Sequence, residues 1–207
     1  MRRKNYQEFS GNTEIKNMDT KINETEVFED IDYSDRQIVN EEFISCEFKN
    51  CNFSNCDLGN IEFTDCIFNS CNFSLTTVSN TDLKNVKFQN CKLLGIEFGK
   101  CNDFLFRVNF EDCTLDYSSF GFKKMKKTRF LSCSLRQAQF ENTDLTLAVF
   151  SNCDLMEANF YESNLEKAEF RTSRNISLDP ERNKIKGAKF SYNQLEGLLR
   201  KYELEIE

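Results

Sequence analysis

Residues 140–170 read FENTDLTLAVFSNCDLMEANFYESNLEKAEF, and a large apolar residue stands at every fifth position of this stretch. A period of five matches neither the helical turn nor the two-residue alternation of a strand. It indicates a coil in which each five-residue unit makes one side and one corner, so that four sides close a square coil of twenty residues. We call the large apolar positions centres: Phe43, Phe48, Phe53, Leu58, Phe63, Phe68, Phe73, Val78, Leu83, Phe88, Leu93 and Phe98, then Phe110, Leu115, Phe120, Met125, Phe130, Leu135, Phe140, Leu145, Phe150, Leu155, Phe160, Leu165 and Phe170.

The position two residues before each centre, which we call the slot, holds a small or β-branched residue. Ala138, Thr81 and Ser118 are examples. Successive coils should lie about 4.8 Å apart, which is within disulfide reach for stacked cysteines. However, C-x4-C spacing is not the C-x2-C spacing of zinc sites, and side chains parallel along a wall favour free buried thiols. All ten cysteines occupy the slot: Cys46, Cys51, Cys56, Cys66, Cys71, Cys91, Cys101, Cys113, Cys133 and Cys153.

The second half of the chain alternates Phe with Leu or Met at its centres, so large rings recur every ten residues. A square coil then puts rings on opposite walls, with Phe110, Phe130, Phe150 and Phe170 in one ladder and Phe120, Phe140 and Phe160 facing them. The interior is therefore expected to be filled rather than open. Asparagines recur two residues after the centres, and we place them at the corners, where they tolerate turn geometry.

Two irregularities interrupt the repeat. Between Phe98 and Phe110 two extra residues must bulge, at 99–109, as either a recognition loop or a tolerated kink. Lys123 stands in a slot, where an unpaired ammonium is too costly, so either the wall distorts or Lys123 turns outwards. The run from Lys123 to Arg136 has six basic residues and no acidic one, which suits either a binding patch or a solvated face. Candidate contacts in these segments are Phe104, Phe106, Lys123, Lys124, Lys126 and Lys127.

Acidic residues are concentrated near the start of the coil. Residues 24–65 contain twelve acids against Arg36 and Lys49. These residues occupy about two coils, or roughly 10 Å of rod, so the segment reaches the charge density of DNA, one charge per roughly 1.7 Å. The candidate partner-binding acidic surface comprises Glu29, Asp30, Asp32, Asp35, Glu41, Glu42, Glu47, Asp57 and Glu62.

Three segments follow from the pattern: a polar tail at 1–27, the repeat at 28–190, and a cap at 191–207. The cap begins with Ser191 and Gln194 in a capping-box pattern, continues as a short helix, and ends in the strand-like ELEIE. A solenoid end exposes core and an unpaired edge, so something must cover it. We expect the cap also to form a two-fold dimer interface through Leu195, Leu198, Leu199, Tyr202, Leu204 and Ile206.

Composition excludes several classes of function. The chain of 207 residues has no His, one Pro and seven Gly, with net charge −7. Histidine-dependent catalysis, phosphate loops and dinucleotide folds are therefore excluded. Its 21 Phe indicate a packed core rather than disorder. We expect a non-enzyme with no cofactor, catalytic residue or metal site, and no direct contact with nucleic acid. No apolar run is long enough to span a membrane and the start lacks a signal peptide, so we expect a cytoplasmic protein with no membrane contact.

The segment CDLMEANFYESNLEKAEF at 153–170 resembles the pentapeptide-repeat family, whose pattern is A-[D/N]-[L/F]-x-x. The resemblance covers roughly 28–190 and implies an all-β fold, a right-handed quadrilateral parallel β-helix with a short C-terminal capping helix. The terminal GAKFSYNQLEGLLRKYELEI resembles the closing cap of the fluoroquinolone-resistance group of this family.

That group implies a function. Its members are cytoplasmic dimeric rods that act as DNA mimics, bind DNA gyrase and topoisomerase IV in place of duplex DNA and blunt quinolone poisoning. Well-studied members carry projecting loops, whereas this sequence offers only the bulge at 99–109. The alternative is a structural or scaffold rod that binds an unrelated protein through residues 99–136.

Overall fold

The chain turns a corner two residues after each centre, and most corner residues adopt a positive φ. Asn50, Asn60 and Asn90 have φ of 51°, 64° and 54°. Asparagine is among the few residues that enter this left-handed region at low cost, so the predicted role of the asparagine run is confirmed. The following slot residue closes the turn, as where the Cys56 amide donates to the Phe53 carbonyl at 2.9 Å.

A computed structural model describes residues 20–205, which form a parallel β-helix with four walls. Most strands are three residues long, because a side of the coil is only that long between corners. Residues twenty apart pair in register, as with Phe48 and Phe68. The strands are β1 Lys21–Glu24, β2 Val27–Glu29, β3 Glu41–Ile44, β4 Glu47–Lys49, β5 Glu62–Thr64, β6 Ile67–Asn69, β7 Asp82–Lys84, β8 Val86–Gln89, β9 Val108–Glu111, β10 Arg129–Leu131 and β11 Val149–Ser151.

Two walls carry these strands and the other two are joined by isolated parallel bridges. The first wall carries β1-β3-β5-β7 and the adjacent second wall carries β2-β4-β6-β8-β9-β10-β11. On the third wall Asn52 bridges Asn72, and on the fourth Asp57 bridges Thr77. The predicted fold class is confirmed.

The interior is filled by stacked aromatic rings. Phe130 and Phe150 stack with centroids 4.8 Å apart, and Phe140 stacks on Phe160 at 5.0 Å. Rings of the two ladders meet edge to face, as Phe140 and Phe150 do at 5.9 Å. The predicted ladders are thus confirmed, and each buried ring contributes roughly 1.5–3 kcal/mol.

The slot residues share a hydrogen bond that explains why Cys, Ser and Thr interchange there. Most of them donate to the carbonyl of a centre in the preceding coil: Cys66 Sγ to Phe43 at 3.3 Å, Thr81 Oγ1 to Leu58 at 2.8 Å, and Ser173 Oγ to Phe150 at 2.9 Å. All ten cysteines are buried free thiols. Burial raises the pKa of the Cys66 thiol to about 12, so it stays protonated at neutral pH.

The coil begins earlier than the sequence indicates. Lys21–Glu24 form β1, which pairs with β3, so the coil includes residues assigned above to the polar tail. The aperiodic composition hid this rung because its centre is the buried Asn23, which donates to the Glu42 carbonyl at 3.3 Å instead of packing an apolar side chain. Residues 1–19 lie outside the described part of the chain.

The last coil ends on a helical cap. Phe190 stacks on Phe170 at 5.3 Å, which completes the ladder. The 3-10 turn Tyr192–Gln194 leads into α1, Leu195–Leu199, and a second turn, Arg200–Tyr202, follows. The predicted terminal strand is wrong for Glu203–Glu205, which form no strand, and Ile206 lies outside the described residues. None of the helices in residues 20–205 has the length and apolar content needed to cross a membrane.

Candidate functional site

The two-residue slip forms a bulge on the first wall. Cys101 continues the wall above Thr81, and Phe110 stacks on Phe88, twenty-two residues earlier, at 5.4 Å. The extra residues therefore lie between Cys101 and Val108, within the predicted 99–109. Phe104 and Leu105 at the tip of the bulge are 71% and 64% exposed.

Phe106 does not lie on the outside of the bulge. It is only 9% exposed and packs towards the core, so its prediction as a surface contact is wrong. Phe106 lies five residues after the slot residue Cys101, so it falls at a slot position, where a side chain faces inwards. The next residue is tied to the preceding rung of the wall, since the Arg107 amide donates to the Leu83 carbonyl at 2.9 Å. Leu105, which was not among the candidate contacts, is instead the second exposed apolar residue of the bulge.

Lys123 follows neither of the two predicted alternatives. Its side chain is 3% exposed, and Nζ contacts Asp103 Oδ1 at 2.7 Å. Nζ also donates to the Cys101 carbonyl and lies 5.1 Å from the ring centroid of Phe106. The ammonium is thus buried but paired, which removes the cost of an isolated charge. All three partners belong to the bulge, so the two irregularities of the sequence form a single structure.

The other predicted basic contacts are exposed. Lys124 and Lys127 face solvent, with Lys127 at a corner with φ of 62°. Lys126 pairs with Asp144 at 3.3 Å. These three lysines are therefore available at the surface, on the first wall next to the bulge.

The nine acidic candidates are spread around the rod rather than on one face. Register places them as follows: Glu41, Glu42 and Glu62 on the first wall, Glu29, Asp30 and Glu47 on the second, Asp32 and Asp35 on the third, and Asp57 on the fourth. Six of the nine thus lie on the two adjacent first and second walls, which we call the acidic edge of the N-terminal coils.

Several of these carboxylates already have partners within the rod. Glu41 pairs with Lys21 at 2.8 Å and Glu62 with Lys84 at 2.6 Å. The hydrogen bond from Lys84 lowers the pKa of Glu62. Asp32 accepts from the hydroxyl and amide of Ser34, which lowers its pKa.

Glu29, Asp30 and Glu42 make no side-chain hydrogen bond or ion pair within residues 20–205. They remain the acids most able to meet a cationic partner.

The predicted dimer residues divide into two groups. Leu195, Tyr202 and Leu204 are 42%, 48% and 57% exposed. Leu198 instead packs partly buried against the core, and Leu199 is half-buried. The cap therefore uses one side of the helix to close the rod and leaves the other side open.

Gln194, which the sequence identified only as a capping residue, seals the open end of the coil. Its Oε1 accepts from the Ser191 amide at 2.8 Å, while Nε2 donates to the Phe170 carbonyl at 2.8 Å and the Ser173 carbonyl at 2.5 Å. A cavity of about 370 Å³ lies beside this cap. Two of its charges are paired internally: Lys201 pairs with Asp179 at 2.6 Å, and Arg182 donates to the Tyr161 hydroxyl at 2.8 Å.

The described residues contain no cluster of three or more Cys, Asp or Glu side chains arranged to hold a metal ion. The surfaces that can act are therefore three: the acidic N-terminal edge, the bulge with its lysines, and the open side of the cap. All three suit binding to another macromolecule.

Two family models match the chain. One, described as "Pentapeptide repeat region", matches residues 41–120, and another, "Pentapeptide repeats (8 copies)", matches residues 133–171. The chain belongs to the pentapeptide-repeat family. No curated protein matches the sequence significantly.

Solved pentapeptide-repeat structures share the architecture. A trypsin-treated variant of QnrB1, "a plasmid-mediated fluoroquinolone resistance protein", aligns with TM-score 0.61 and 20% identity over 94% of this chain and 95% of that one. A second trypsin-treated QnrB1 variant aligns with TM-score 0.50 and 20% identity over 87% of this chain and 100% of that one. At this identity the likeness establishes the shared fold.

Proposed function

We propose that this pentapeptide-repeat rod is a non-catalytic cytoplasmic protein that binds DNA gyrase and topoisomerase IV by imitating duplex DNA, and that it protects them from fluoroquinolones. The observation that carries the proposal is the charge of the first coils. Residues 24–65 hold twelve acids against two bases, within roughly 10 Å of rod at the spacing of stacked strands. DNA presents one charge per roughly 1.7 Å. The resemblance of the fold to a fluoroquinolone-resistance protein supports the choice of partner.

The acids that lack partners in the rod define the expected contact. Glu29 and Asp30 lie on the second wall, and Glu42 lies on the adjacent first wall. Cationic side chains that normally meet phosphates would meet these carboxylates, and the rod would occupy the DNA channel without being a substrate. Salt should weaken the complex, because exposed charges are screened beyond about 10 Å at 0.1 M.

The test is a gyrase supercoiling assay with purified protein titrated in, with and without a fluoroquinolone. We expect inhibition at high protein and rescue from the drug at low protein. The variant carrying Glu29→Lys, Asp30→Lys and Glu42→Lys should lose both effects. Its matched control is Glu141→Lys, Glu157→Lys and Glu162→Lys, which changes charge equally at exposed positions of the C-terminal half. Equal loss in both variants, or a flat response of the unmodified protein, would contradict the proposal.

The cap is proposed as a homodimer interface, because α1 and the residues that follow it leave Leu195, Tyr202 and Leu204 exposed at the sealed end of the rod. Leu195→Asp places a carboxylate in that surface and should give a monomer in solution light scattering. Glu196→Lys, at the neighbouring exposed position, is the control and should leave the mass unchanged. A mass that Leu195→Asp does not alter would place the dimer interface elsewhere.

A second candidate function is a scaffold rod for a different protein, and the bulge favours it. Phe104 and Leu105 are exposed on a segment that Lys123 and Asp103 hold in place. If the rod is such a scaffold, gyrase supercoiling should not change when the protein is added. A protein partner captured by the unmodified rod should be lost with Phe104→Ser but retained with Glu141→Lys. Rescue of gyrase by the Phe104→Ser variant as efficiently as by the unmodified protein would assign the activity to the acidic coils instead.

A further inference from the structure

The first wall reverses its charge at the bulge. Before the bulge its rungs, residues 21–25, 41–45, 61–65 and 81–85, carry six acids against Lys21 and Lys84. After the bulge its rungs, residues 123–127, 143–147, 163–167 and 183–187, carry seven lysines against Asp144 and Glu166. The other three walls show no reversal of this size.

The reversal is symmetric in position. Four rungs precede the bulge and four follow it, so the bulge lies at the midpoint of the wall. That midpoint is also the apolar part of the wall, where Phe104 and Leu105 are mostly exposed and Lys84 lies 5.7 Å from the Phe104 ring centroid. An apolar centre with charged flanks is the arrangement found at protein interfaces.

Many of the flanking charges have no partner of their own. Glu24, Glu42 and Asp82 make no side-chain ion pair within residues 20–205, and neither do Lys124 and Lys186 across the bulge. The wall thus presents unpaired acids on one half and unpaired bases on the other.

We propose that the first wall binds the first wall of a second copy of this chain, antiparallel and face to face, with the two-fold axis through the bulge. This surface is distinct from the cap, and it shares the first-wall acids, Glu42 among them, with the acidic edge used in the proposed function. A two-fold axis that lies in the interface maps each rung onto the rung equally far beyond the bulge. Asp82 then faces Lys124 of the partner copy, and Glu24 faces Lys186 of the partner copy. Phe104 and Leu105 pack against their own symmetry mates.

The area of the wall sets the affinity expected for dimerisation. Eight rung spacings of about 4.8 Å make it about 38 Å long, and a side of three strand residues with its corners is roughly 12 Å wide at about 3.3 Å per residue. Pairing two such walls buries about 900 Å² in total, below the roughly 1,200 Å² of stable complexes. The contact should therefore be transient, with a dissociation constant on the order of 10–100 µM.

The experiment is sedimentation equilibrium on the full chain carrying Leu195→Asp, so that the cap makes no contribution to the mass. We expect reversible dimers in low salt that dissociate in about 0.5 M salt, because the flanking charges are exposed. Asp82→Lys and Lys124→Asp should each weaken dimerisation at least about tenfold, because each creates like-charge contacts. Combined in one chain they should restore it to within about threefold.

Three controls keep the test specific. Asp112→Lys and Lys87→Asp make the same charge changes on the second wall and should leave dimerisation unaltered. Phe104→Ser should weaken dimerisation without altering its salt dependence. Circular dichroism of each variant establishes that the coil is intact.

A chain that stays monomeric at the highest concentration overturns the proposal. Binding of a polyanion such as heparin to the basic half would not rescue it. Failure of the doubly reversed variant to recover overturns it equally. Neither result depends on gyrase, so the proposed function and this inference can fail independently.

Discussion

Corner residues carry the largest local strain in this protein. Most corners adopt a positive φ, which ordinary side chains enter only at a cost of roughly 1–2 kcal/mol. Tyr117 and Phe122 nevertheless occupy corners, with φ of 62° and 65°. They are 59% and 73% exposed, so burial does little to offset the strain.

Tyr117→Asn should therefore stabilise the rod by about 1 kcal/mol, because asparagine tolerates the left-handed region. The reverse change, Asn152→Tyr at an exposed corner with φ of 56°, should destabilise it by a similar amount. Urea unfolding monitored by circular dichroism measures both. A destabilised Tyr117→Asn variant would mean that the ring has contacts worth more than the strain.

Asp154 is a buried carboxylate held by three cationic or amide donors. It is 4% exposed, and its oxygens accept from Asn175 at 2.7 Å, Arg136 at 2.9 Å and Arg174 at 3.3 Å. Burial by itself would raise the pKa of Asp154, but the hydrogen bonds from Asn175 and Arg136 outweigh it and hold the pKa below its ordinary value of 3.8. Asp154 thus ties neighbouring coils together through its charged form.

This shift predicts an acid dependence of stability. Because the pKa of Asp154 is lower in the folded than in the unfolded protein, its contribution to stability is complete well above pH 3.8. The contribution disappears as the pH falls through the pKa of the folded state. Asp154→Asn should lower the free energy of unfolding at pH 7 by about 1–3 kcal/mol and should flatten its fall between about pH 5 and 2. Urea unfolding across that range tests this. Parallel pH profiles for the two proteins would show that Asp154 is not the titrating group.

The C-terminal cap is fitted against the last coil at one close contact. A Cβ on Gly197 would lie 1.9 Å from the Ile176 carbonyl oxygen and 3.0 Å from its carbon, both in the backbone. Only glycine therefore lets α1 approach the coil, where the Leu178 amide donates to the Gly197 carbonyl at 3.3 Å.

Gly197→Ala should destabilise the protein, although alanine is the better helix former by about 1 kcal/mol. The clash forces α1 off the end of the rod, and overpacking of this kind costs about 1–3 kcal/mol. Hydrogen exchange at residues 174–178 should rise with it. Glu196→Ala, in the same helix but exposed, should change stability by less than about 0.5 kcal/mol. A stabilised Gly197→Ala variant would show that the cap does not rest on Ile176.

Across the whole molecule the thiols follow the walls of the coil. Cys51, Cys71 and Cys91 belong to one column, and each Sγ donates to a carbonyl one coil earlier at 3.5, 3.5 and 3.4 Å. Burial raises the pKa of the Cys56 and Cys101 thiols to about 12. The reactive thiolate form of Cys56 and Cys101 is therefore suppressed while the coil is closed.

We expect the native protein to react with fewer than about one equivalent of a disulfide reagent at pH 8, and all ten thiols to react after unfolding in guanidinium. Cys101 should react first, because it is 5% exposed and adjoins the bulge, whereas Cys66 is fully enclosed. Mass spectrometry of the partly labelled protein identifies the order. Rapid labelling of several cysteines in the native state would mean that the coils open readily.

The coil can be read from local sequence features. A five-residue period, a slot filled by Cys, Thr or Ala, and asparagines at the corners are local requirements repeated in every side, so one unit predicts the next. Phe130 and Phe150 stack because they are twenty residues apart, and that number is visible in the sequence.

The features that interrupt the coil depend on contacts between distant residues. Lys123 is unacceptable in a slot until Asp103 and Phe106, on the preceding rung of the wall, are brought around its ammonium. The prediction of a terminal strand was wrong because a strand must pair with a neighbouring strand edge. Residues 203–205 do not pair with one in the described part of the chain. The acids that adjoin in sequence diverge onto four walls, and the first wall gathers charges twenty residues apart. The physical reason is that regular packing follows from local repetition, whereas burial of a charge and the composition of a surface depend on residues that only the winding of the coil brings together.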